Sequence, residues 1–69
     1  MPELLPHQER VVVEKQELDE KKDKLAAFVK GAFDNAFGTL DEAEQSRLNK
    51  QLLAMEYYSS ILGERIAAF

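Results

Sequence analysis

The residues able to do chemistry in this 69-residue chain are few and widely spaced. His7, Val11, Leu18, Lys22 and Leu25 follow at intervals of 4, 7, 4 and 3, so on a helix the single imidazole and one ammonium share the side that carries apolar residues. An imidazole can stack on or hydrogen-bond a nucleobase, and an ammonium meets a phosphate as a point charge. Further along, Arg47 and Gln51 stand one helical turn apart. A guanidinium fork can grip phosphate oxygens in two places while a carboxamide reads a base edge. Each group also has a plainer role open to it: Lys22 snorkelling past apolar neighbours, His7 as an exposed first-turn residue, Arg47 paired on the surface with an acid such as Glu44.

A catalytic constellation is not legible. His7 has no Ser or Cys partner that the sequence can place, there are no cysteines, no HExxH pair and no glycine-rich phosphate loop, and one histidine cannot build a zinc site. The chain therefore reads as a binding protein rather than an enzyme, with no metal and no cofactor. His7 and Lys22 are 15 residues apart, about 22 Å along a helix, too far to hold one small ligand from one chain. If two first helices pair antiparallel about a two-fold axis, His7 of one subunit comes beside Lys22 of its partner, and an intersubunit pocket for a phosphate and a base results.

Two long helices must position these groups. Residues 1–6 hold both prolines, Pro2 and Pro6, the second suited to a first helical turn. Helix one is expected over 7–30, with Val11, Leu18, Leu25, Phe28 and Val29 as a heptad-like seam and Glu14 and Lys21 standing where a plain coiled coil would place its second apolar set. Residues 14–24 contain five acids and four lysines, including Glu17 with Lys21 and Glu20 with Lys24 at the four-residue spacing of a solvated helix face. A corner over 31–40 lies around Gly31 and Gly38, with Phe33 and Phe37 expected to turn inward. Helix two, 41–67, is announced by Thr39 with Glu42, or Asp41 with Glu44, as a capping box. Its stripe runs Leu48, Leu52, Met55, Tyr58 or Ser59, Leu62 and Ile66, widened by Leu53 and Ile61, and Gly63 is its one weak point. Tyr57 and Tyr58 read first as packing or interface residues.

The fold class is thus all-α: a single domain over 1–69, an antiparallel hairpin of two long helices with a short corner helix. At 45% apolar and 32% charged the chain is composed to fold, yet a core of this size comes out near balance against chain entropy without disulfides or metal. Burial against further copies in a symmetric oligomer is the ordinary remedy. A net charge of −4 and a pI near 4.9 leave no basic stripe for DNA or an anionic membrane. No apolar run spans a bilayer and no signal peptide is evident, so a cytoplasmic location is expected.

The segments HQERVVVEKQELDEKKDKLAAFV, GTLDEAEQSRLNKQL and AMEYYSSILGERIAAF together resemble the second type of anti-CBASS protein, a small phage-encoded sponge for cyclic oligonucleotides. The similarity covers residues 7–69 and is strongest at Arg10-Val11-Val12 with Glu14, Leu18 and Lys21, at Leu25 with Phe28, at Glu44-Gln45 with Arg47-Leu48 and Gln51-Leu52, and at Leu62-Gly63-Glu64-Arg65-Ile66. It implies a helical hexamer in an infected bacterial cell that binds cyclic dinucleotides between interlocked subunits and, in many members, cyclic trinucleotides at separate sites. The dinucleotide site of such proteins uses an aromatic residue early in the first helix and a lysine about four turns later, which fall here on His7 and on Lys22 or Lys21. His7 stands where a tyrosine is common. The trinucleotide site uses a polar residue next to that aromatic and an arginine of the last helix, here Gln8 and Arg47, and Gln51 joins them one turn from Arg47.

The resemblance implies capture of ligands such as 3′,3′-cyclic GMP–AMP and cyclic triadenylate without cleavage, which would block CBASS immunity. The alternative is an oligomeric helical interaction module that inhibits a host protein and needs no small ligand. Lys22→Ala discriminates them: it removes dinucleotide binding under the first and leaves partner capture intact under the second.

Overall fold

The computed structural model describes residues 3–69; Pro2 lies outside them. Among the described residues there are two long helices, α1 (Pro6–Val29) and α2 (Glu42–Ala67), joined through a four-residue 3₁₀ helix, Ala36–Thr39, and no strand. The helices pack antiparallel as a rod about 50 Å long and 19 by 14 Å across.

Each helix end follows from its local sequence. Pro6 occupies the first position of α1, where its missing N–H is not needed, and Gln8 Oε1 accepts from the Leu5 N–H at 2.9 Å. At the other end Gly31 takes a left-handed φ of 87°, the Gly31 N–H reaches Phe28 O at 3.1 Å and the Ala32 N–H reaches Ala27 O at 3.0 Å. That is a Schellman motif, satisfying carbonyls the helix would otherwise leave open. Asp34 and Asn35 continue the reversal at φ 53° and 57°, a conformation that short polar side chains tolerate. Of the two possible caps for α2, Asp41 is the one formed: Oδ1 accepts from the Glu44 N–H at 2.7 Å. Thr39 instead donates its hydroxyl to Ala36 O at 2.6 Å, closing the 3₁₀ turn.

The core is thin. Among the described residues only Val11 (5% exposed), Leu62 (0%) and Ser59 (5%) are buried, while Leu18, Leu25, Val29, Leu48, Leu52, Met55 and Ile66 are half-buried along the seam. The corner closes on Phe28, whose ring meets Phe37 edge-on at 6.0 Å. Phe33 also approaches Phe28, at 6.3 Å and a tilt of 37°, yet remains 56% exposed rather than turning inward. Between Tyr58 and Ser59 the helix turns the serine to the seam. Leu53 and Ile61 do not widen that seam: with Tyr57 they recur every four residues along the back of α2 and are exposed, Leu53 at 64% and Tyr57 at 72%.

Candidate functional site

A polar cluster interrupts the apolar seam one turn from its buried end. Val11, Lys15, Leu18, Lys22 and Leu25 share one side of α1, with Asp19 one turn from Lys15, so a lysine, a carboxylate and a second lysine lie among the residues that face α2. Lys15 Nζ donates to Asp19 Oδ2 at 2.7 Å and to Ser59 Oγ at 3.2 Å. The Ser59 hydroxyl in turn donates to Asp19 Oδ1 through a very short hydrogen bond. Lys22 Nζ stands 3.5 Å from that same oxygen, an ion pair held by charge. The three charged side chains are each about 30% accessible, so they are partly withdrawn from water without being cut off from it.

This arrangement fixes the charge of Asp19. The hydrogen bond from Lys15 and then that from Ser59, with the nearby positive charges of Lys15 and Lys22, draw its pKa from 3.8 down to about 2 against the opposing effect of partial burial. Two ammonium groups against one carboxylate leave the cluster with a surplus positive charge. On a chain of net charge −4 this is a local exception, of the kind that can receive an anion.

The sequence-predicted groups are placed as follows. α1 runs unbroken from Pro6 to Val29, so His7 and Lys22 keep their separation of about 22 Å and one chain does not bring them together. His7 is exposed in the first turn, Lys21 is exposed, and Lys22 is half-buried beside Asp19. Gln8 is spent on the helix cap. Arg47 is exposed and paired through Nε with Glu44 Oε1 at 2.8 Å, the surface pairing that was its plainer role, and Gln51 is exposed one turn away. With Ser59 against both Lys15 and Asp19, the antiparallel register sets Arg47 level with the C-terminal end of α1, about 28 Å or more along the rod from Gln8. Those two groups likewise do not meet within one hairpin.

The charged stretch of α1 also pairs differently from its spacing. Among the described residues the ion pairs are Lys15–Asp19, Lys22–Asp19 and Arg47–Glu44, and neither Glu17–Lys21 nor Glu20–Lys24 closes. Asp19 is anchored by a buried hydroxyl across the interface, whereas Glu17, Lys21, Glu20 and Lys24 are exposed, where water competes. Lys15, Asp19 and Ser59 were missed as a unit. Their signal was present in the seven-residue recurrence of Lys15 and Lys22 beside Val11, Leu18 and Leu25, and in a serine standing within the stripe of α2.

A shallow groove of about 460 Å³ lies on another face of α1, lined by Pro6, Glu9, Arg10, Val13, Glu14 and Glu17. Three carboxylates against one guanidinium disfavour a phosphate there, and none of the predicted ligand residues lines it. Among the described residues no group of three or more His, Cys, Asp or Glu side chains is placed to hold a metal ion. No helix of the described chain is long and apolar enough to cross a membrane. In comparison with known proteins, the Sequestin family model matches residues 5–68. No curated protein and no solved structure matches the chain.

Proposed function

The chain belongs to the Sequestin family, an anti-CBASS sponge type of protein, and from that premise we propose that it sequesters cyclic di- and trinucleotide second messengers intact, so that a bacterial CBASS effector is never activated. The observation that carries this reading is the family match over nearly the whole chain. The surplus positive charge at Lys15, Asp19 and Lys22 supports it, because a dianionic ring needs a cationic contact.

In this reading the dinucleotide site forms between subunits of a symmetric oligomer, a hexamer by the family resemblance. His7 of one subunit stacks on a base, and Lys22 of another, with Lys21 beside it, meets a phosphate. The helix geometry supports an intersubunit site, since His7 and Lys22 are held about 22 Å apart in one chain. Gln8, Arg47 and Gln51 serve the trinucleotide site on the same logic. There Arg47 exchanges its exposed pairing with Glu44 for phosphate oxygens, a small loss for a surface ion pair. Binding alone is the mechanism: no covalent step is required, and infected-cell cytoplasm is where the ligand would be met.

Calorimetry with 3′,3′-cyclic GMP–AMP and with cyclic triadenylate tests the reading. Heat with a defined stoichiometry per chain is expected, and the nucleotide recovered after heat denaturation of the protein should be unchanged by mass. Absence of heat with both ligands would refute sequestration, and linear products in the recovered fraction would make the protein a hydrolase.

A further inference from the structure

We propose that Lys15, Asp19 and Ser59 form a positioning clasp that sets how strongly Lys22 attracts an anionic ligand, a role that rests on the cyclic-nucleotide reading of Lys22. The clasp spans both helices. Asp19 Oδ2 is taken by the Lys15 ammonium at 2.7 Å and Oδ1 by the hydroxyl of buried Ser59, so the carboxylate is tied to α1 and α2 at once. Lys22 shares Oδ1 at 3.5 Å without a hydrogen bond of its own. It is the one member held by charge alone, and the one free to leave.

The consequence is a graded tether. Lys15 offsets part of what Asp19 would exert on Lys22, and Ser59 occupies the oxygen nearest to it, so Lys22 is aligned along the seam but weakly bound. A phosphate arriving at Lys22 competes with a carboxylate whose hydrogen bonds are already made elsewhere. Removing Asp19 would loosen Lys22 toward the ligand. Removing Lys15 or Ser59 would transfer the grip of Asp19 to Lys22 and weaken ligand binding, although neither side chain need touch the ligand.

These opposite signs are the test. Titrations of 3′,3′-cyclic GMP–AMP into the full chain at two salt concentrations should show Asp19→Asn binding about two- to fivefold more tightly than the unmodified protein, as loss of one partly exposed ion pair implies. Lys15→Met, which keeps the aliphatic stem beside Gly63, should bind more weakly by a similar factor. Asp23→Asn removes the same charge one residue from Lys22 but outside the clasp, and should change affinity less than Asp19→Asn at either salt concentration. A gain in affinity cannot arise from structural damage, and circular dichroism checks that each variant is helical. If Asp19→Asn does not fold, Ser59→Ala carries the test with a predicted weakening. Equal effects of Asp19→Asn and Asp23→Asn, or shifts of Asp19→Asn and Lys15→Met in the same direction, would overturn the clasp while leaving sequestration standing. An unmodified protein that gives no heat would overturn both.

Discussion

If the dinucleotide site is shared between chains, two binding-dead variants should rescue one another by mixing. The perturbations are His7→Ala and Lys22→Ala, made in separate preparations. Removing a stacked side chain costs about 1–3 kcal/mol per base, which is about 5- to 150-fold in affinity, and removing the ammonium leaves a phosphate without its counter-charge. At protein concentrations near the unmodified dissociation constant each variant alone should then show little or no saturation. Unfolded together in equal amounts and refolded, the chains recombine at random. Each site draws His7 from one subunit and Lys22 from another, so about one quarter of the sites receive both native groups, whatever the size of a symmetric assembly built from such pairs. Calorimetry should return native affinity at about one quarter of the native stoichiometry. The rigid spacing makes the outcome sharp: α1 is unbroken between the two residues, and their backbone positions in one chain are held about 22 Å apart. Zero recovery from variants that refold with native helicity would mean that both groups act from the same chain, and the intersubunit site would be wrong.

Other expectations follow from single features. Leu62 is fully enclosed, so Leu62→Ala should destabilise the protein by about 2–5 kcal/mol in urea denaturation, and a loss under about 1 kcal/mol would show that its packing is not what holds the helices together. A Cβ at Gly63 would meet Lys15 Cε at an ordinary 3.5 Å, so Gly63→Ala should stabilise by up to about 1 kcal/mol; a fall in melting temperature would instead mark a required close approach. Because the Asp19 pKa is lowered to about 2 from 3.8, its contribution to stability is present above about pH 4 and lost as pH falls toward 2. Asp19→Asn should therefore flatten the acid limb of the stability curve in that window, and an unchanged limb would dissociate Asp19 from acid unfolding. The melting temperature should also rise with protein concentration, as it does when subunits stabilise one another, and a constant value across a hundredfold range would argue for a self-sufficient hairpin.

The elements were legible because their signals are local. Pro6, Asp41 with Glu44, and Gly31 at the corner fix where helices start and stop through neighbours within a few residues. Which residues of each helix face the other was legible only in outline. A stripe with apolar residues on two sides of α2 does not say which side meets α1, and Leu53 and Ile61 fell on the far side once Ser59 took the seam. The clasp was hidden for a related reason. Local spacing offers Glu17–Lys21 and Glu20–Lys24 as readily as Lys15–Asp19, and the deciding group, Ser59, is 40 residues away from Asp19 in sequence. Arg47 shows the reverse: its partner Glu44 is three residues off, and the local pairing is the one formed.

The thinness of this fold and the separation of its candidate ligand groups have one common remedy. Among the described residues Val11 and Leu62 are the only apolar side chains buried, while Leu53, Tyr57 and Ile61 line the outer side of α2, so each chain leaves a long apolar stripe without cover. The same slender shape strings His7, Lys22 and Arg47 along a rod about 50 Å long, where neither His7 with Lys22 nor Gln8 with Arg47 converges. A fatter single-chain bundle would cure the first deficit and not the second, because groups on one straight helix stay where the 1.5 Å rise puts them. Addition of copies would cure both, and it would bind the two properties together thermodynamically. A ligand seated between subunits belongs to the assembled state alone, so it must strengthen assembly by the same free energy with which assembly strengthens ligand binding. Dilution that separates the apo chains should thus fail to separate them at saturating cyclic nucleotide. A ligand that tightens nothing between chains would have to sit within one hairpin, where the groove on α1 is lined by three glutamates.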